Sequence, residues 1–575
     1  MYHYVKLAIA LLMLCLPAKA QLTPYEKGNY NTTATYEEIT TFYKNITTKT
    51  NQIKVQNIGT TDGGAPLQLV TISSNGKHDA AQWNKQNKTV ILINNGIHPG
   101  EPDGIDACML LTRNIANGTI KLPSNVCLAI IPVYNIGGCL NRSSNYRVDQ
   151  NGPEEFGFRG NAQNLDLNRD FIKCDSRDAR TFAQIFHMVK PQILIDNHVS
   201  NGADYQHIMT LIATQHNKLG GAVGAYQQDS MTPAIYESMK LKGIDVVPYV
   251  NFFGATPLQG WTEFYDSPRY STGYSTLWHC FGYVPETHML KPYKLRVAAT
   301  YELMLSFITY ASTNHIRINA LQKEAQLQYQ IKSTVPLDWE VSKQDSSMIT
   351  FKGYTSSYKP SLVTGLPRLY YDRASPFTKK IPFYNTYLPT IQVTKPKAYI
   401  IPKGWWKVIE LLQLNKVLMS RLKQDTIITV EAYTITDYKS GSKPYENHHA
   451  NSNIKVSSSI QTKTFAKGDY IIYLQQNADR YIVETLEPQG RDSYMAWNFF
   501  DGILGQKEGY SDYVFEETAL KILAEKMELK LKFLDKKIVD KAFAQDAEAQ
   551  LNYIYKNSKY FEPAYMQYPV YRVLY

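Results

Sequence analysis

Cysteine is scarce in this chain of 575 residues: six are present, and Cys108, Cys127, Cys139, Cys174 and Cys280 are those that follow the first twenty residues. An odd number scattered over so long a chain excludes a disulfide framework, and none has the spacing of a cysteine metal site. Cys108 and Cys127 lie in apolar segments and read as buried thiols. Cys139 and Cys174 bracket the polar 140–170 region, and one bridge between them is expected to be compatible with an oxidising compartment. Long apolar runs are also missing after the N-terminus, which argues against a transmembrane segment. Clustered basic charge is missing as well. The formal charge is +10, but the lysines are scattered, so nucleic acid is not an expected partner, and at most acidic cell-surface polymers would be favoured. No internal repeat is evident.

What is present begins with a leader. Lys6, an apolar run from Leu7 to Pro17 and Ala18-Lys19-Ala20 before Gln21 have the layout of a cleaved signal peptide over residues 1–20. Leu12-Met13-Leu14 before Cys15 lacks the small residue expected ahead of a lipidated cysteine. The expectation is a secreted or periplasmic protein. Hydrophobic content of 44% and charged content of 19% are those of an ordinary globular chain, and its length accommodates two or more domains.

One stretch organises the chain, residues 90–111. Val90 to Ile93 is β-branched and apolar, as a strand buried on both faces must be. Asn94-Asn95-Gly96 breaks it, and a helix-like segment restarts near Asp103. Between them lies His98-Pro-Gly-Glu101, at the carboxyl end of a strand, where open α/β sheets bind ligands. An imidazole and a carboxylate on one tight turn can reach the same cation. With 12 histidines in the chain, that pair alone is a weak signal. A second apolar strand, Gln192 to Ile195, feeds Asp196-Asn197-His198, so a second imidazole stands at a second strand end. Val126 to Val133 reads as a further strand, 137–164 as a long irregular loop, and Ser176 to Val189 as a helix. This alternation predicts an α/β fold with a mixed, mostly parallel sheet and helices on both faces.

His98-x-x-Glu101, Asn168-Arg169 within DLNRDF, His198 within IDNHVS and Glu286 within YVPETHM follow one another in an order that resembles the zinc carboxypeptidase superfamily, over roughly residues 35–310. The resemblance implies one Zn²⁺ per chain, held by His98, Glu101 and His198 with a fourth position left for water. It implies Glu286 as general base and acid, Asn168 and Arg169 as the clamp on a substrate's terminal carboxylate, and Arg159 as the group that polarises the scissile carbonyl. Arg142 and Arg147 compete for the last role. Asp166 matches a carboxylate that supports a zinc-bound histidine, here His98. The structural alternative for Glu286 is a strand-end carboxylate paired with Lys291 or His288. Asp170 departs from the family's usual Asn and would place negative charge beside the clamp. The family's mobile tyrosine could be any of Tyr265, Tyr270, Tyr274 and Tyr283.

Beyond residue 315 the motifs stop. Gln322 to Asp345 reads as a helix and linker, and the Pro/Tyr-rich stretch from Thr364 to Pro389 as irregular. Strands are expected at 398–401, 425–435 and 470–475, with a helix over 405–422. Phe515 to Tyr555 reads as one long helical stretch. The expected division is therefore 21–315 catalytic, 316–505 mixed α/β or β-rich, and 506–575 a helical tail, whose partners the sequence does not name. Trp405-Trp406 and the nearby tyrosines read as buried or interface aromatics rather than a carbohydrate platform. The functional expectation is a secreted zinc hydrolase that cleaves peptides at a free C-terminus. The alternatives are an amidase or endopeptidase acting on cell-wall peptides, or a catalytically silent glycan- or peptide-binding protein on the same fold.

Overall fold

The computed structural model describes residues 22–574, so the leader expected at 1–20 lies outside the described residues. A nine-stranded sheet forms the centre of the N-terminal half. Its strands are β1 (Ile53–Ile58), β2 (Leu67–Ile72), β3 (Thr89–Asn94), β4 (Val126–Ile131), β5 (Ile193–Asp196), β6 (His198–Ser200), β7 (Met209–Ala213), β8 (Val246–Pro248) and β9 (Phe281–His288). They run in the order β1-β2-β4-β3-β5-β9-β7-β8, with β6 paired to β9. The β4-β3-β5-β9 centre is parallel, and antiparallel pairs join β1 to β2, β2 to β4 and β9 to β7. The fold is the expected mixed, mostly parallel α/β architecture.

The apolar run of β3 shows why both faces are covered. Side chains alternate across a strand. Val90 and Leu92 enter a core with Phe182 and Phe186, which lie on helix Arg177–Val189. Ile91 and Ile93 enter the opposite core with Ile105 and Leu111 of helix Asp103–Ala116, and with Leu303 and Phe307 of helix Tyr293–Ile331. At Gly104 the first of these helices passes close behind the strand ends. A Cβ there would meet Asn197 Cβ and Asn95 Oδ1, both at 2.4 Å, so only glycine admits the approach.

Several local expectations are corrected. Cys139 and Cys174 do not bridge: all five cysteines among the described residues are buried and free. The loop from 137 to 164 contains a short helix, Ile136–Leu140, and a small ladder pairing Arg142–Ser143 with Phe156–Gly157. The Pro/Tyr-rich stretch is not irregular. Strands Ser347–Pro360 and Pro367–Tyr384 form a long antiparallel hairpin. Its prolines are tolerated because along most of its length this is a two-stranded ribbon, and a ribbon has edges that need no donor. After helix Tyr293–Ile331, Thr334–Val341 is a strand paired with Tyr387–Thr394. The helix near Trp405 is shorter than expected, Trp406–Leu414. The stretch from 515 to 555 is four helices, with interruptions at Lys526, Asp540 and Gln545-Asp546.

The expected 315/316 division falls inside helix Tyr293–Ile331. The chain's last strand, Tyr571–Val573, pairs with both Ala398–Ile401 and Thr426–Ser440 in a six-stranded sheet. The core beside Phe182 and Phe186 is shared with that later region, through Val408, Leu412, Tyr481 and Ile482. His187 also faces it, within 3.2 Å of both Asn415 Oδ1 and Tyr274 Oη.

Two measurements test this shared core. Leu412 is fully buried, and Leu412→Ala is expected to cost about 2–5 kcal/mol through lost burial and a residual cavity. Near-UV and far-UV signals should be lost together on heating; separate transitions would show that the later region melts by itself. The second test uses pH. Burial lowers His187 and His207 from 6.5 to about 4. Between those values the unfolded chain binds protons that the folded chain refuses, so stability falls with falling pH, by about 1.4 kcal/mol per pH unit for each group. The slope of unfolding free energy between pH 6.5 and 4 should flatten in His187→Gln, and an unchanged slope would contradict the assignment.

Candidate active site

Three neighbouring parallel strands deliver the side chains. β3 leads into the turn His98–Glu101, closed by a 2.8 Å hydrogen bond from Glu101 N–H to the His98 carbonyl. That turn puts both side chains on one side, with His98 Nδ1 3.4 Å from Glu101 Oε1. β5 continues into β6, which starts at His198, and β9 carries Glu286 directly opposite His198 in the ladder. The sheet order β3-β5-β9 therefore makes the three groups neighbours, although they are far apart in sequence.

His98, Glu101 and His198 are buried and offer ligand atoms that all lie within 4.8 Å of one another. Each imidazole is held from behind by a carboxylate. His98 Nε2 is 2.9 Å from Asp166 Oδ1, and His198 Nε2 is 3.1 Å from Asp196 Oδ2. A carboxylate only accepts hydrogen bonds, so each Nε2 carries a proton, and both Nδ1 atoms are turned towards Glu101, that of His198 lying 3.0 Å from Oε2. With a metal ion bound, each ring would be neutral and present its Nδ1 lone pair, and two imidazoles and a carboxylate converging out of water make a centre that favours positive charge. A His₂Glu set is a known zinc donor set, and the residues present fit that ion.

The charged groups of the cluster also balance one another. Burial would raise the Glu101 carboxyl, but Arg147 and His98 hold it well below the usual range. Burial would lower His198, yet Asp196 and Glu101 push it well above 6.5. Asp166 is likewise held far down, against burial, by His98 and Arg159. Glu286 moves the other way. Enclosure raises it to about 8, with Glu101 adding to the effect and His198 opposing it. Its carboxylate has no hydrogen-bond or ion-pair partner among the described residues. Lys291 is engaged with Asp204 and His288 with the Ala203 carbonyl, so the structural alternative for Glu286 does not occur.

His98, Glu101, His198, Glu286, Arg159, Asn168 and Arg169 line one cleft of about 500 Å³; Asp166 stands just behind His98. Arg159 donates from Nε and Nη2 to Asp166 Oδ2, and its Nη1 is 3.3 Å from His98 Nδ1. Arg147 donates to Glu101 Oε1 at 2.6 Å and to the Val199 carbonyl. Arg142 is spent on the carbonyls of Thr33, Ala34 and Glu155, outside the cleft. The Asn168 amide oxygen is buried without a hydrogen bond. Arg169 donates from Nε to Tyr445 Oη and stacks on the Tyr270 ring at 4.7 Å. Asp170 does not oppose it. That carboxylate points inward, paired with Lys173 Nζ at 2.8 Å and accepting from the Ser176 N–H and hydroxyl.

Of the four candidate tyrosines Tyr270 alone lines the cleft, joined by Tyr249, which the sequence reading missed. Asp196 was missed too. Its signal was available, since residues i and i+2 of an extended segment share a face. The contributions of Tyr445 and Glu446 carried no such signal, because both lie more than 270 residues from their partners.

Residues 39–320, just under half of the chain, match the family model described as zinc carboxypeptidase. Among solved structures, a metallo-carboxypeptidase from Burkholderia cenocepacia is 16% identical, over 49% of this chain and 70% of its own, with a TM-score of 0.37. A Pseudomonas aeruginosa metallo-carboxypeptidase, solved with (2-guanidinoethylmercapto)succinic acid, is 11% identical over 50% of this chain and 70% of its own, with the same TM-score. Bovine thrombin-activatable fibrinolysis inhibitor, solved with a tick carboxypeptidase inhibitor, is 14% identical over 50% and 99%, with a TM-score of 0.35. No curated protein matches the chain. With a His₂Glu donor set standing at the ends of a mostly parallel sheet, residues 39–320 carry the match to the zinc carboxypeptidase family.

Proposed function

We propose that the protein is an exported carboxypeptidase that removes residues from the free C-terminus of peptides, with one zinc ion per chain. The observation that carries this reading is the arrangement of one cleft. A His₂Glu donor set lies beside an unpaired carboxyl, Glu286, and a guanidinium, Arg169, whose Nη2 has no partner among the described residues. Export rests on the leader-like residues 1–20, and the substrate class on the family together with the clamp.

His98, Glu101 and His198 would hold the ion, and bound zinc supplies a water acidified towards pKa ~7 and a polarised scissile carbonyl. Asp166 and Asp196 fix the tautomer and direction of the two imidazoles. Glu286 takes the proton from the attacking water and returns it to the leaving amine. Its lack of any partner leaves both oxygens available, and its high proton affinity makes it a competent donor in the second half of the reaction. A neighbouring cation draws that affinity down towards neutral pH, where the group can also act as base. Arg159, aimed at the same centre, stabilises the oxyanion that develops on the carbonyl. Asn168 and Arg169 receive the terminal carboxylate, which a guanidinium matches in shape and charge. With Asp170 turned inward on Lys173, the clamp keeps its positive charge. Among the described residues no donor and no acid–base group is missing, which speaks against the silent binding protein.

Three outcomes are expected. Glu286→Gln should keep zinc and fold yet lose about 10²–10⁴-fold in kcat, and near wild-type turnover would move the base elsewhere. His198→Ala should lose most of the metal by elemental analysis, whereas Asp166→Asn and Asp196→Asn should weaken it by about 10–100-fold in chelator competition; full zinc content in the His198 variant would end the ligand assignment. Paired peptides that differ only in C-terminal amidation decide the substrate. Strong preference for the free acid is expected, and equal cleavage would favour an amidase or endopeptidase.

A further inference from the structure

The clamp residues do not stand alone. The connection between strands Thr426–Ser440 and Asn451–Phe465 of the C-terminal region ends in a tight turn, Tyr445–His448, closed by reciprocal backbone hydrogen bonds of 2.7 and 3.0 Å. Its two central residues, Glu446 and Asn447, have φ of 48° and 66°. A turn of this kind favours Asn, Asp or Gly at both positions. Asn447 obeys that preference and Glu446 does not. A glutamate held in left-handed backbone costs stability, and such outliers persist where the side chain is needed.

The Glu446 side chain reaches the catalytic half of the chain. Its Oε2 accepts from Asp166 N–H at 2.8 Å. Asp166 is the residue that opens the short 3₁₀ turn Leu167–Arg169, and its own carboxylate holds His98 and Arg159. The adjacent Tyr445 hydroxyl accepts from Arg169 Nε at 2.9 Å. The hairpin is itself anchored on two sides. Tyr445 stacks on the buried Trp497 ring at 6.3 Å and 18°, and His448 Nε2 is 2.8 Å from Asp175 Oδ2. Two adjacent side chains of one strained turn thus grip the two ends of the segment 166–169.

From this geometry we infer that the Tyr445–Glu446 hairpin tip is a positioning element of the active site, by which the C-terminal region sets the 166–169 segment and aims Arg169 at the substrate's terminal carboxylate. The inference rests on the carboxypeptidase reading of Asn168 and Arg169. Tyr445 ties down Nε and the Asn168 carbonyl accepts from Nη1 at 2.8 Å, so the guanidinium plane is fixed and Nη2 is left for substrate. Glu446 pins the backbone from which that arginine departs. Positioning of this kind acts mainly on binding of the free acid, because a misaimed fork loses one or both of its hydrogen bonds.

The test measures kcat and KM of the full-length zinc enzyme for a peptide and for its C-terminal amide, with melting temperature as the control for folding. Tyr445 is 40% exposed, so Tyr445→Phe should fold normally. It is expected to raise KM for the free acid about tenfold with kcat less affected, which reduces the preference for acid over amide by a similar factor. Glu446→Gly should act in the same direction while keeping or raising the melting temperature, since glycine relieves the left-handed backbone. Glu446→Gln, which retains an acceptor oxygen, should restore much of the loss. A simple scaffold role would instead lower the melting temperature and leave the KM ratio untouched. If the wild type prefers the acid and all three variants prefer it equally, the hairpin's role is overturned while the carboxypeptidase reading stands. If the wild type cleaves acid and amide alike, that reading falls and the hairpin's role with it.

Discussion

Everything in the catalytic half follows from the need to keep two imidazole lone pairs and a carboxylate together in a place that excludes water. Burying such groups without compensation is expensive. The chain compensates in layers. Asp166 and Asp196 hold the outer ring nitrogens of His98 and His198, Arg147 and the Val199 N–H serve Glu101, and Arg159 closes the circuit back to Asp166. What remains uncompensated is the centre itself, where positive charge is required. Asp166, Asp196, Arg147 and Arg159 can all be traced to that requirement, and Glu286, whose carboxylate has no partner among the described residues, stands apart from them.

Position comes from the sheet. Parallel strands present their carboxyl ends on one edge, and β3, β5 and β9 are neighbours there. His98 and Glu101 follow the last paired residue of β3 and His198 follows β5, where the backbone turns away, while Glu286 projects from within β9, opposite His198. Gly104 lets helix Asp103–Ala116 press against Asn95 and Asn197, which sets the two segments that carry the histidines against one rigid element.

The later half of the chain is more than an appendage. Its core merges with that of helix Arg177–Val189, and its final strand pairs within its own sheet, so the chain's end is tied to its middle. The same region reaches the 166–169 segment through one tight turn. A framework of modest size can leave its loops mobile; here two side chains from a distant sheet hold the 166–169 loop.

The local stretches around His98, Glu101, His198 and Glu286 were legible because each is a short apolar strand ending in a polar residue, a pattern written within ten residues. The order of the motifs and the parallel sheet were legible for the same reason, since apolar runs and turn residues act locally. The long hairpin over 347–384 was not, because its prolines count against a strand unless the strand has an open edge, which is a property of the assembled sheet. The direction of Asp170 was likewise decided by Lys173 and Ser176 in the folded core, not by its place beside Arg169 in the sequence. Tyr445 and Glu446 mark the limit most clearly. Nothing near them in sequence distinguishes them from other hairpin residues, except a glutamate where a turn prefers asparagine or glycine. The sequence by itself determined the donor chemistry, because ligand types and strand endings are properties of neighbours along the chain. The tertiary structure alone decided which distant side chains aim and brace those donors, because hydrogen bonds are made through space and depend on a register that no local pattern encodes.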